Sequence, residues 1–243
     1  AAAPAGFADM LLQELIALGL SAEMAGGGCT VDTADWAGLY RARCMSELLL
    51  PLGGDIPLTA QAIATAAGGE LTLPYRIELT GYTGDRAKML LEIKRAIGGE
   101  NNPSHYALEL RIVCRGERCA LWLKPSFDEK TRYAWRKHSI SASMKPALAA
   151  CLARYIAPYV DRPRVLDPFC GSGTLLFSCE EAFPCASLLG VDISQNAVQV
   201  AKENAAAGKS RARFVQKDVR RFEPREPADL VIANPAGNYG LTA

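Results

Sequence analysis

The feature that most restricts the fold is a strand, a glycine loop and a helix in immediate succession at residues 164–183. Arg164-Val165-Leu166 runs into Asp167-Pro168-Phe169-Cys170-Gly171-Ser172-Gly173-Thr174, and the apolar spacing from Gly171 to Phe183 is helical. Two glycines after a strand permit a tight turn and a close backbone approach to a ligand, and the helix that follows offers unpaired N–H groups at its start. No Gly-Lys-Ser/Thr follows, which excludes a Walker loop. Leu176 stands where a dinucleotide fingerprint wants a third glycine, which disfavours a nicotinamide cofactor. On its own the glycine pair could be a structural turn; its strand and helix context argues for a ligand loop.

The alternation continues on both sides of this loop. Pro146 opens a helix over 145–159, and strands follow at 164–169, 188–193, 213–219 and 229–233, with a further helix at 195–207. Such alternation predicts an α/β, doubly wound parallel sheet with its ligand at the carboxyl ends of the strands. Upstream, Phe7–Leu20 has the spacing of an amphipathic helix, 26–28 is a glycine turn, 35–52 is helix-like before an apolar run, and 55–74 is an alanine-rich helix. From Tyr75 the pattern changes to a strand at 75–79, a helix at 85–97, and two strands at 106–113 and 119–123 joined through Arg115-Gly116-Glu117, a small α+β unit. The predicted divisions are therefore 1–70, 71–125, a basic linker at 126–144, and 145–243.

Charge is unevenly placed. The 243 residues carry a net charge of +1, yet residues 1–70 hold two basic and eight acidic residues, leaving 25 basic against 18 acidic in the remainder. Within 111–137, eight cations face three acids, with Trp122, Tyr133 and Trp135 interleaved. Cations fix phosphates and rings stack on unpaired bases, which suits structured RNA, although a solvated face around core aromatics gives the same pattern. Eight scattered cysteines without Cys-x-x-Cys, and only two histidines, predict reduced thiols and no metal site. No run of 18 apolar residues and no basic signal region occur, so the expectation is a cytoplasmic protein without a membrane partner. Nothing in the sequence marks an obligate protein partner.

Three further strand ends carry chemistry. Gly190-Val191-Asp192-Ile193 places a carboxylate about twenty residues after the glycine loop, where an acid can bind a ribose diol or merely cap the next helix. Asp218 follows the third strand, where it could meet an adenine amine or belong to a solvated turn. The last strand ends at Asn234-Pro235; an amide oxygen beside a backbone carbonyl can accept twice from one amino group and hold it for attack, though an isolated Asn-Pro is usually only a turn.

Taken together, these strand ends resemble the Rossmann-like S-adenosylmethionine-dependent methyltransferases, specifically the THUMP-containing RNA methyltransferases that modify guanine N2. Residues 167–174 look like the family's cofactor loop, Ser143-Met144-Lys145-Pro146-Ala147-Leu148-Ala149 its upstream cofactor-side helix, and Arg132-Tyr133-Ala134-Trp135-Arg136 its Arg-aromatic-x-aromatic-Arg linker. Residues 75–125 resemble a THUMP domain and 1–70 the ferredoxin-like region before it. The resemblance implies S-adenosyl-L-methionine as cofactor, with Asp167 at its amino group, Asp192 at the ribose hydroxyls and Asp218 at the adenine amine. Phe169, Gly171, Gly173, Thr174, Ile193 and Asn234 complete the implied cofactor set. Asn234 and Pro235 would hold the target amine, and Arg132, Trp135, Arg136 and Lys137 would meet tRNA or rRNA. The family pattern continues Asn-Pro-Pro-aromatic, with the ring stacked on the target base, whereas this chain reads Asn234-Pro235-Ala236-Gly237-Asn238-Tyr239, so Tyr239 is either a displaced counterpart or not the stacking residue.

Rival readings are a DNA adenine or protein glutamine N-methyltransferase, which uses the same Asn-Pro geometry, and a noncatalytic RNA-binding module. A doubly wound sheet wants about six strands and only four follow Arg164. With no initial Met, the expectation is a fragment or an incompletely ordered protein, since a complete chain would leave its fourth strand as an exposed edge.

Overall fold

The computed structural model describes residues 1–126, 132–141 and 143–235. The chain divides into two units, one of residues 47–129 and one that joins 2–46 to 130–243. The predicted boundary at 70/71 therefore falls inside the first unit.

The chain opens with α1 (Ala8–Ala17), the hairpin strands β1 (Ala22–Ala25) and β2 (Gly28–Val31), and a single turn α2 (Trp36–Leu39). The helical pattern expected as far as residue 52 stops there, because Leu50–Pro57 is a strand, β3. Its Pro51 and Gly53-Gly54 obscure any strand period, and they are tolerated because β3 lies at a sheet edge and its register shifts at Gly53. The first unit continues with α3 (Ala60–Ala66), β4 (Tyr75–Thr80), α4 (Arg86–Ile97), β5 (Leu108–Arg115) and β6 (Arg118–Pro125). Thr59 and Asp85 begin the two helices by accepting the N–H groups of Ala62 and Lys88.

The sheet of this unit runs β3-β6-β5-β4, with β4 and β5 parallel and the other pairs antiparallel. One face buries Tyr75, Leu79, Leu110, Ile112 and Leu121 with Ile63, Ile93 and Ile97 of the helices. Alternate residues of the same strands point the other way and form an ion network. Glu109, 1% exposed, lies 2.5 Å from Arg76 and 2.7 Å from Arg111. Burial alone would push its carboxyl up, but the two guanidiniums outweigh that and hold it below the usual range. Arg111 and Lys124 likewise hold Glu47 down at about 2.

The second unit contains α5 (Pro146–Ile156), β7 (Arg164–Asp167), α6 (Thr174–Ala182), β8 (Ser187–Asp192), α7 (Gln195–Gly208), β9 (Arg213–Gln216) and β10 (Leu230–Val231). The four strands pair in parallel in the order β10-β7-β8-β9, as the alternation predicts. The third strand stops short of its predicted end because the Asp218 side chain accepts the Arg220 N–H and starts a short 3-10 turn. Val165, Leu188 and Phe214 bury one sheet face against Ala149, Ala153, Leu176, Phe177, Val198 and Ala201.

Residues 2–46 join this unit, whereas the sequence predicts a separate region extending to residue 70. Glu14, 3% exposed, accepts the Cys44 N–H at 2.6 Å and pairs with Arg154 of α5 at 3.3 Å. A buried carboxylate is stable only with such partners, so the N-terminal segment and α5 are tied by it. All eight cysteines are buried free thiols. Among the described residues no helix is long and apolar enough to cross a membrane.

Candidate active site

Asp167 ends β7 and lies 1% exposed, with the Phe169 N–H donating to its Oδ1 at 3.0 Å. The chain then turns, the Cys170 N–H bonding back to the Val191 carbonyl of β8 at 2.9 Å. Gly173 precedes α6 with φ of +86°, and a Cβ there would come within 2.7 Å of the Phe177 ring, so both the left-handed backbone and the close packing require glycine. Asp192 ends β8 beside this loop. Its Oδ2 accepts the Gly171 N–H and its Oδ1 the Ser194 N–H, each at 2.9 Å. Capping of α7 falls to Ser194, whose hydroxyl accepts the Ala197 N–H, so Asp192 is not spent as a cap.

Burial pushes the Asp167 carboxyl up to about 7, helped by the neighbouring Asp192 charge and opposed by the Phe169 N–H. Among the described residues this buried carboxyl has one hydrogen bond and no cation beside it, which prepares the site for a positively charged ligand group. Cys170 is different. Burial raises its thiol far above the ordinary range, so it stays protonated and serves as packing rather than as a nucleophile.

These groups border a cavity of about 200 Å³. Of the expected cofactor residues, Asp167, Phe169, Gly171, Thr174, Asp192, Ile193 and Asn234 line it. Gly173 shapes the loop from behind. Asp218 lies outside the lining and is engaged by Arg220, whose guanidinium reaches it at 2.5 Å and holds its carboxyl at about 2. Pro235 follows Asn234 and both are exposed, while Tyr239 lies outside the described residues. Ile140 and Leu175 also line this cavity and fall outside the motifs singled out in the sequence. Ile140 sits in a polar stretch without period, and Leu175 reads only as an apolar residue of the following helix. A larger cavity of about 890 Å³ lies along Leu166, Leu189, Arg213 and Val215, on the sheet face away from α5–α7, and its lining includes none of Asp167, Asp192 and Asn234.

The residues expected to meet RNA divide sharply. Arg132 is 5% exposed and its Nη1 donates to the Met45 carbonyl at 2.6 Å and the Ala42 carbonyl at 3.4 Å. Trp135, also 5% exposed, packs against Phe177 with ring centroids 4.9 Å apart. Both are structural in this unit because their partners are its own backbone and core. Arg136 is half-buried and donates to the Met144 carbonyl at 3.3 Å; Lys137 is exposed.

Residues 160–240 match the methyltransferase domain family. This part of the chain is an S-adenosylmethionine-dependent methyltransferase domain. A tRNA (guanine(6)-N2)-methyltransferase of Thermus thermophilus is 29% identical over 269 residues, covering 95% of this chain and 75% of its own. The crystal structure of TrmN from Thermus thermophilus superposes with a TM-score of 0.63 at 26% identity, over 97% of this chain and 78% of that one. A Listeria monocytogenes protein described as a predicted N6-adenine-specific DNA methylase gives 0.70 at 18% identity over 97% and 78%, a likeness of fold. The methyltransferase domain thus places its glycine loop, Asp167 and Asp192 where doubly wound sheets bind ligands, at the carboxyl ends of adjacent strands.

Proposed function

We propose that the chain transfers a methyl group from S-adenosylmethionine to an exocyclic base amine of RNA, guanine N2 of tRNA being the reading best supported. The observation that carries it is the convergence of Asp167, Asp192 and Asn234 on one cavity behind the glycine loop. The length shared with the Thermus tRNA enzyme supports the RNA assignment. The residues fit the cofactor: Asp167 offers a buried acceptor for an ammonium group, and Asp192 can accept from a ribose diol while its loop bonds hold it in place. The exposed Ile193 provides an apolar rim for a flat ring.

When bound, the cofactor supplies a methyl group on a positively charged sulfur. The protein's own task is then alignment. The Asn234 amide oxygen and a backbone carbonyl at Asn234-Pro235 accept the two hydrogens of the target amine, which leaves its lone pair free to attack. As the nitrogen–methyl bond forms the methyl–sulfur bond breaks with its electron pair left on sulfur, and the proton the methylated amine then sheds passes to water, so no strong base is needed. A base inside a duplex would have to be flipped out to reach the exposed Asn234. The first unit, with the α+β order of a THUMP-like module, is proposed to hold the RNA.

Incubation with methyl-labelled cofactor and a mixture of tRNA, rRNA, duplex DNA and protein tests the reading. Label in tRNA that digests to N2-methylguanosine is the expected result. Label in DNA adenine or in a glutamine amide would overturn the RNA assignment while keeping the cofactor site.

A further inference from the structure

Asn204 is fully buried inside α7, where asparagine is a poor helix former and a buried amide is costly unless bonded. Its side chain uses both donors and accepts twice. Oδ1 accepts the Lys137 N–H at 3.0 Å and the His138 N–H at 3.1 Å, and Nδ2 donates to the His138 carbonyl at 3.0 Å and the Ser172 carbonyl at 3.1 Å. Ser172 belongs to the glycine loop. Just beyond His138, the Ile140 N–H donates to Ser143 Oγ at 3.1 Å, and that oxygen lies 2.9 Å from Ser172 Oγ. Ile140, Ser143 and Ser172 all line the cofactor cavity. One turn along α7, Gly208 leaves room for the same segment: a Cβ there would sit 2.5 Å from the Cβ of Trp135. Residues four apart share a helix face, so one face of α7 is given over to residues 135–138.

We propose that Asn204 is a positioning residue for the cofactor. It pins Lys137 and His138 to the glycine loop, so the cavity wall formed by Ile140 and Ser143 stands in place before the ligand arrives and no binding energy is lost in ordering it. The chemistry needs an amide. Aspartate keeps the shape but cannot donate, and sets a carboxylate against the His138 and Ser172 carbonyls. The inference rests on the reading of this cavity as the S-adenosylmethionine site.

The test is calorimetric titration of S-adenosylhomocysteine into wild type, Asn204→Asp and Val198→Ala, with amide hydrogen exchange on the same proteins. Val198 is a buried residue of the same helix outside the cavity lining, so its variant reports general destabilisation. Expected are at least a tenfold weaker affinity and faster exchange at Lys137 and His138 in Asn204→Asp, against a lower melting temperature with affinity within twofold in Val198→Ala. In wild type, ligand binding slows exchange at Lys137 and His138 although neither lines the cavity, a readout independent of whether the aspartate variant folds. Wild-type affinity in Asn204→Asp, an equal loss in Val198→Ala, or no ligand-dependent protection overturns the proposal. Wild type that does not bind S-adenosylhomocysteine strikes the cofactor reading itself, and this proposal falls with it.

Discussion

Asp167 and Asp218 both stand at or just after the carboxyl end of a parallel strand of one sheet, yet they are opposite in character. Asp167 is sealed between the glycine loop and β8, has one N–H donor, and its carboxyl is pushed up to about 7. Asp218 caps a 3-10 turn, is clasped by Arg220, and its carboxyl is held at about 2. Residue type and strand-end position are the same, so the difference lies in what surrounds each carboxylate. The first is a strained acceptor waiting for a cation; the second already has one.

Substitutions at these carboxylates test the difference. The largest effect is expected from Asp192→Ala, which removes the acceptor for a ribose diol and the Gly171 bond together. Two charge-assisted bonds lost at about 1.5–3 kcal/mol each correspond to a hundredfold or greater loss of S-adenosylhomocysteine affinity. Calorimetry on a variant with unchanged circular dichroism checks it. Asp167→Asn should weaken binding by about tenfold to a hundredfold, the cost of one charged contact, while stabilising the ligand-free protein. A carboxyl with a folded pKa near 7, against an ordinary value of about 3.9, favours folding in its protonated form. That contribution is full below about pH 4 and is lost as pH rises through about 7. The Asn variant should therefore melt higher than wild type at pH 8 and about equally at pH 4. A lower melting temperature at pH 8 would mean that Asp167 is not a strained group.

Arg132→Ala probes a third kind of site, a cation whose role is internal. Loss of its bonds to Met45 and Ala42 leaves buried carbonyls unpaired and should cost about 1–3 kcal/mol of stability. Its affinity for tRNA, measured in filter binding well below the melting temperature, should stay within twofold. A large and selective loss of RNA affinity would restore it to the RNA-contact set. The smallest effect belongs to Asp218→Asn, expected to change cofactor affinity by no more than about threefold, a fraction of one charged hydrogen bond.

The same environments explain what the sequence made legible. The β7-loop-α6 corner was readable because its geometry is local: a strand period, a glycine with positive φ and a helix start follow one another within twenty residues. The four parallel strands were readable for the same reason. β3 was not, since Pro51 and two glycines erase its period and its strand character comes from pairing with β6, far along the chain. Nor could the chain reveal that 2–46 folds with 130–243, because Glu14, Cys44 and Arg154 meet only through tertiary contact. Basic and aromatic residues at 132–137 read as a solvated RNA surface, but composition does not say which cations are consumed by backbone carbonyls. Asn204 carried a signal that could have been used: a polar residue inside an alanine-rich helix breaks local propensity, and such breaks tend to mark function.

Asp167 is expected to be protonated in the free protein and ionised when the cofactor's ammonium group arrives. Titration of S-adenosylhomocysteine at pH 6 in buffers of differing ionisation enthalpy counts the protons exchanged on binding. With the carboxyl at about 7 in the free protein, close to one proton should be released per ligand bound, and none in Asp167→Asn. Binding without proton release in wild type would contradict this, because Asp167 would then either be ionised before the ligand arrives or take no part in holding it.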